Sequence, residues 1–124
     1  MSETLLTRLV STLARPISES DRARARLHLL DWLACVAGAR CSEAAALGAT
    51  ISFNGWERAT YLGNVLEMDD VHRAGRLHPG PVIWPTALGC GADNLDRVLN
   101  AALHGYEVMV AIGETLDDHH YAHW

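Results

Sequence analysis

Apolar residues recur at intervals of three and four along most of this chain, a spacing typical of α-helices with one buried face. The first such segment contains Leu5, Leu6, Leu9, Val10 and Leu13. Strand-like alternation of apolar and polar residues is nearly absent. The pattern predicts an all-α, bundle-like domain of five or six helices, with at least half of the residues helical. Because no repeat or linker is visible, residues 1–124 are expected to form a single helical domain.

Capping and helix-breaking residues predict where the first helices begin and end. Pro16 ends the first helix, and Ser20 is the predicted N-cap of a long second helix that ends near Gly38. A short, Ala-rich helix then begins at Ser42 and Glu43.

The middle of the chain contains one segment without helical periodicity. We expect a helix over residues 56–68, an ordered loop over 69–81, and a further helix over 82–92 that bends or begins at Pro85. On this reading Glu67, together with the acidic residues that follow it, lies at a helix C-terminus. That end of the helix dipole is unfavourable for carboxylates.

The last long helix is expected to begin at a cap supplied by Asp93 or Asp96. Its apolar positions are Val98, Leu99, Ala102, Leu103, Tyr106, Met109 and Val110. Trp32, Trp56 and Trp84 are interpreted as anchors of the core.

Composition excludes several classes of function. The formal net charge is -5, which argues against nucleic acid as a general partner. All ten cationic residues are Arg, so no lysine is available for a Schiff base. No apolar run approaches the roughly 20 residues of a membrane span. The three cysteines, Cys35, Cys41 and Cys90, are interpreted as reduced core thiols of a cytoplasmic protein.

Ionisable groups concentrate in the non-helical segment. They are Glu67, Asp69, Asp70, His72, Arg73, Arg76 and His78. His78 precedes a Pro-Gly-Pro sequence, and a rigid turn is a good place from which to orient an imidazole. The arginines could bind substrate carboxylates in bidentate fashion. The alternative is a solvated loop whose charges pair locally.

Histidines elsewhere carry weaker signals. His119 and His123 in the tail have the i, i+4 spacing that can bind zinc, but no further metal motif accompanies them, so no metal site is predicted. His28 is interpreted as a hydrogen-bonded packing residue. His104 is equally compatible with a functional role and with a position on the helix surface.

Four motifs carry a resemblance to a known family. They are LLDWLACVAG at 29–38, GNVLEMDDVHR at 63–73 followed by HPGP at 78–81, ALHGYEV at 102–108, and HYAHW at 120–124. In this order and spacing the motifs resemble the helical N-terminal portion of the MmgE/PrpD family, and together they span nearly the whole chain.

The resemblance implies a cofactor-free lyase or isomerase acting on small di- or tricarboxylates, similar to 2-methylcitrate dehydratase, cis-aconitate decarboxylase or iminodisuccinate epimerase. It implies catalytic roles for His78, Asp69 and Asp70. Substrate-binding roles are implied for Glu67, His72 and Arg73. No metal or organic cofactor is expected.

The departures from the family pattern lead to three hypotheses. Members of the family are several times longer, and they place active-site lysines and a second active-site histidine beyond the position of Trp124. We therefore expect the chain to be inactive alone and to require a separate C-terminal part or a homo-oligomer. The alternatives are a non-catalytic helical remnant or interaction module, and a small metal-binding protein that uses the histidines of the tail.

Overall fold

Six helices account for 67% of the residues described by the computed structural model, which covers 3–13 and 15–116. They are α1 (Leu5–Leu13), α2 (Glu19–Ala39), α3 (Glu43–Gly48), α4 (Gly55–Asn64), α5 (Gly80–Gly89) and α6 (Leu95–Glu114). This part of the chain contains no strand, only an isolated bridge between His72 and Leu77. The prediction of an all-α domain with five or six helices is confirmed.

A capping box begins α2. The Ser18 side chain accepts a hydrogen bond from the Asp21 backbone N–H, and the Asp21 carboxylate accepts one from the Ser18 N–H. The prediction of Ser20 as the cap was wrong, because the acid at the third helical position pairs with the serine three residues earlier. The helix also continues through Gly38 to Ala39.

Asparagines cap the fourth and the sixth helix. Asn54 accepts hydrogen bonds from the backbone N–H groups of Trp56 and Glu57 at the start of α4. Asn94 accepts one from the Arg97 N–H at the start of α6, so the prediction of Asp93 or Asp96 in this role was wrong. An asparagine amide oxygen reaches the free N–H groups of the first turn as readily as a carboxylate does.

The fourth helix ends earlier than its apolar spacing predicts. It stops at Asn64 rather than near Met68, and Glu67 adopts a left-handed backbone conformation with φ 51°. The acidic residues therefore lie in the loop beyond the helix and not at its C-terminus, which removes the expected conflict with the helix dipole.

Helix α2 packs against α4, α5 and α6, and the core lies between these four helices. Trp84 and Leu99 are fully buried, and Trp32 is nearly so. Burial of a side chain of the size of Leu99 stabilises the fold by about 1.5–3 kcal/mol. Trp56 is 50% exposed, so its predicted role as a core anchor was wrong.

A close approach between α2 and α4 fixes the position of the chain that leads into the loop. A Cβ atom on Gly63 would lie 2.3 Å from Nε1 of Trp32. Only glycine allows the indole to pack directly on the α4 backbone. Consequently, the last turn of α4 is held against the core immediately before the acidic loop.

The remaining expectations have mixed outcomes. Cys35 is buried, whereas Cys41 and Cys90 are exposed, so the interpretation of all three as core thiols was wrong. Among the described residues, no helix combines the length and the apolar character needed to cross a membrane. The tail histidines, on which the metal-binding alternative depends, lie outside the described residues.

Candidate functional site

The loop between α4 and α5 carries the ionisable cluster and is tied together by its own backbone. His72 and Leu77 exchange backbone hydrogen bonds of 2.9 and 3.2 Å. The Gly75 N–H donates to Nδ1 of His72 at 3.1 Å. These bonds close a tight turn over residues 72–77, so that His78 emerges from a defined backbone.

Asp70 fixes the end of this loop to the helices beside it. Its Oδ1 accepts a hydrogen bond of 2.8 Å from the Gly80 N–H at the start of α5. Its Oδ2 accepts one of 2.7 Å from the Tyr106 hydroxyl on α6, and Nδ1 of His28 lies 3.3 Å from the same oxygen. A carboxylate at a helix N-terminus is favourable because free N–H groups and the positive end of the dipole meet there.

The environment of Tyr106 reflects this anchoring role. Burial of its ring, together with the hydrogen bond to the Asp70 carboxylate, raises the pKa of the hydroxyl well above its ordinary value. The phenol is therefore held in its neutral, donating form. Asp70 thus positions the loop and does not face the cleft that is described below.

Asp69, unlike Asp70, contacts the imidazole of His78. Its side chain is only 1% exposed, and its Oδ2 lies 2.9 Å from Nδ1 of His78. Asn64, at the end of α4, donates from Nδ2 to the other carboxylate oxygen at 3.2 Å. A carboxylate can only accept, so Nδ1 of His78 carries the proton and Nε2 is left as the second reactive nitrogen.

His78 is one of the residues that line an open cleft of about 570 Å³. The cleft is lined by Thr60, Tyr61, Asn64, Val65, Glu67, His78, Pro81 and Val82. Oε2 of Glu67 lies 3.8 Å from Nε2 of His78, and the Glu67 side chain is largely exposed. The imidazole therefore stands between a buried carboxylate that orients it and an exposed carboxylate beside its outer nitrogen.

The other predicted substrate-binding residues lie away from this cleft. Nδ1 of His72 is engaged by Gly75, and its Nε2 is 3.7 Å from Oε1 of Glu114 on α6. Arg73 is exposed and is not part of the cleft lining. Of the three residues assigned to substrate binding from the sequence, the structure brings only Glu67 to His78.

The structure adds three residues that the sequence did not assign to the site. Asn64 supports Asp69, and Tyr106 and His28 support Asp70. The interpretation of His28 as a hydrogen-bonded packing residue holds only in part. Its ring lies against Tyr106 with centroids 5.6 Å apart, but its side chain is 51% exposed and its contact with Asp70 is an ion-pair distance of 3.3 Å. For Tyr106 the available signal was a phenol within an otherwise apolar helix face, where a polar group usually finds a partner.

This arrangement is suited to moving a proton. A carboxylate that fixes the tautomer and direction of an imidazole allows the free nitrogen to act as a general acid or base. Among the described residues, no three His, Cys, Asp or Glu side chains are grouped so as to hold a metal ion.

Fold and site together define a class: an all-α domain that carries a carboxylate-oriented histidine at the edge of an open cleft. Comparisons of the chain with protein-family models, with curated proteins and with solved structures gave no match. The resemblance to the MmgE/PrpD family therefore rests on the four sequence motifs.

Proposed function

We propose that this chain supplies the proton-transferring part of a cofactor-free lyase or isomerase that acts on small di- or tricarboxylates in the cytoplasm. The observation that carries the proposal is the 2.9 Å contact between the buried Asp69 carboxylate and Nδ1 of His78, which leaves Nε2 at the cleft. The family resemblance of the same loop supports the class of substrate.

The proposed reaction begins with removal of a proton from a carbon next to a substrate carboxylate. Nε2 of His78 accepts this proton, and the electron pair moves into the carboxylate, forming an enediolate. Asp69 stabilises the imidazolium through Nδ1. In the lyase reaction the imidazolium then gives the proton to a departing hydroxide, which leaves as water. In the isomerase reaction a second acid on the opposite face protonates the enediolate and inverts the carbon, while His78 keeps the proton that it removed.

The same cleft suggests what else the reaction requires. Its lining contains the Glu67 carboxylate but no guanidinium or amine among the described residues. A polycarboxylate substrate and its enediolate need cations or strong donors to stabilise their negative charge. We therefore propose that a second polypeptide, or a second copy of this chain, contributes those groups, and that the chain is inactive alone.

Exposed apolar residues support assembly of this kind. Leu27, Leu30 and Leu33 lie three residues apart on α2 and are well exposed. The apolar residues of α6 are less suitable for such an interface, because Val98, Leu99 and Ala102 are buried in the core of the domain. The same exposed leucines favour the second candidate function, a non-catalytic interaction module, which differs from the first in having no substrate.

The test is an assay of the tagged chain, purified from its native source with whatever polypeptide accompanies it, on 2-methylcitrate, cis-aconitate and related acids. Loss of the His78 imidazole should cost about 10²–10⁴-fold in rate. His104→Ala is the matched control, because its side chain is equally exposed, at 35%, but lies outside the cleft.

Three outcomes would contradict parts of the proposal. Rapid turnover by the isolated chain would overturn the requirement for a partner. Turnover that His78→Ala leaves unchanged would overturn the assignment of the residue. A stable assembly without turnover of any of these acids would favour the interaction module.

A further inference from the structure

A second cleft, distinct from the one beside His78, lies between the end of α2, helix α3 and helix α4. Its volume is about 710 Å³, within the range of small-molecule sites. Its apolar wall is formed by Val36, Ala45, Ala46, Ala49, Ala59 and Leu62. Tyr61 lines both clefts.

The charges of this second cleft have one sign. Arg40, at the end of α2, and Arg58, on α4, both line it, whereas no Asp or Glu does. In the part of the chain that the structure describes, neither guanidinium lies within ion-pair distance of a carboxylate. Arg15, Arg22 and Arg26, by contrast, are all paired. In a chain with a net charge of -5, two unpaired arginines at one cleft are a local reversal of charge.

The backbone around the two arginines is fixed before any ligand binds. The Ser42 hydroxyl donates to the Ala39 carbonyl at 2.7 Å and accepts from the Ala45 N–H at 3.1 Å, which holds the short connection after Arg40. The Tyr61 hydroxyl donates to the Ala44 carbonyl at 2.7 Å and ties α3 to α4. A Cβ atom on Gly48 would lie 2.5 Å from the Tyr61 ring, so this contact depends on glycine.

We propose that this cleft binds a small organic dianion, a dicarboxylate or a phosphomonoester, whose carbon body lies on the alanine-rich wall. Guanidinium groups pair with planar or tetrahedral oxygen groups through two parallel hydrogen bonds. Two such groups beside an apolar surface select a ligand with both charge and a carbon body. The inference is independent of the function proposed for His78, because the two clefts share only Tyr61.

The test is calorimetric titration of the full chain with succinate, phenyl phosphate, inorganic phosphate and the neutral analogue succinamide. Succinate or phenyl phosphate should bind, and their relative affinity identifies the oxygen group that the site prefers. Arg40→Gln and Arg58→Gln should each weaken binding by roughly tenfold. Arg8→Gln, on α1, is the matched control and should leave binding unchanged.

A further variant tests the cleft while leaving its two arginines unchanged. Ala46 is exposed and lines the cleft, so Ala46→Glu should be tolerated by the fold and should add a carboxylate to the cleft that Arg40 and Arg58 line. It should abolish binding, whereas His78→Ala should not affect it. Absence of binding by both organic dianions would overturn the proposal, as would binding that survives the double arginine variant. Equal affinity for inorganic phosphate and phenyl phosphate would show that the apolar wall does not contribute to binding.

Discussion

The Tyr106 hydroxyl donates a hydrogen bond of 2.7 Å to Oδ2 of Asp70, across 36 positions of the chain. The other oxygen of the same carboxylate accepts from the Gly80 N–H. One side chain of the loop therefore connects helix α6 to the start of α5. This connection holds the adjacent residue, Asp69, where it can reach His78.

Removal of the Tyr106 hydroxyl should destabilise the domain. A hydrogen bond to a charged group contributes about 1.5–3 kcal/mol, against about 0.5–1.5 kcal/mol for a neutral pair. Tyr106→Phe should therefore lower the free energy of unfolding more than Tyr61→Phe, which removes a bond to the Ala44 carbonyl. Urea denaturation of both variants measures the difference, and an equal or smaller loss for Tyr106→Phe would contradict the anchoring role.

The raised pKa of Tyr106 predicts a pH dependence of stability. The folded chain holds this proton more tightly than the unfolded chain, in which the pKa is about 10. Its contribution to stability is complete below about pH 10 and is lost as the pH rises from there toward the folded-state pKa. Denaturation curves at increasing alkaline pH should decline less steeply for Tyr106→Phe than for the unsubstituted chain. If stability declined equally steeply with pH in both proteins, the pKa of Tyr106 would be the same in the folded and the unfolded chain.

The contact between Gly63 and Trp32 predicts a large effect of one added methyl group. In Gly63→Ala the new Cβ would meet the indole nitrogen at 2.3 Å, and overpacking of a core usually costs about 1–3 kcal/mol. Gly55→Ala is the matched control, because nothing lies within 4 Å of its added Cβ. Thermal unfolding should show a loss for the first variant alone. A tolerated Gly63→Ala would mean that α2 and α4 do not pack this closely.

The three thiols should react at two distinct rates. Cys41 and Cys90 are exposed, whereas Cys35 is buried, and burial raises the pKa of its thiol, with a further contribution from nearby acidic residues that include Asp31. The thiolate is the reactive form, so Cys35 should be alkylated much more slowly in the folded chain. Mass spectrometry after brief alkylation should find Cys35 unmodified, and denaturant should remove the difference. Equal labelling of all three without denaturant would contradict the buried position of Cys35.

The sequence predicted the presence of the helices because their apolar spacing is local and regular. The apolar residues from Leu5 to Leu13 coincide with the extent of α1. The fifth helix, however, runs over Gly80–Gly89 with Pro85 inside it, so the predicted bounds of 82–92 were wrong. Caps were harder, because Ser18, Ser20 and the residues around Asn94 offer several side-chain acceptors that compete for the same backbone N–H groups. The end of α4 was misplaced because apolar residues continue through Met68 after the backbone has left the helix at Asn64.

The site was predicted in part for a similar reason. Composition and spacing drew attention to the loop that carries Asp69, Asp70 and His78, but they did not distinguish the partner of the imidazole from the anchor of the loop. That distinction depends on tertiary contacts, because Tyr106 is far from Asp70 in sequence. The distinction also depends on burial, because the side chains of the adjacent residues Asp69 and Asp70 have different surroundings in the folded chain.

The most direct test of the central claim is the tautomer of His78, read from nitrogen–proton NMR spectra of histidine-labelled protein at about pH 8.5, where an ordinary imidazole is neutral. With Asp69 in place, Nδ1 should carry the proton and Nε2 should be the basic nitrogen. In Asp69→Asn, which keeps the shape but removes the charge, this preference should weaken or reverse, while Asp93→Asn, at an exposed position distant in sequence, should leave it unchanged. A proton on Nε2 in the unsubstituted chain, or a tautomer that Asp69→Asn does not alter, would contradict the claim that Asp69 prepares His78 to accept a proton from the cleft.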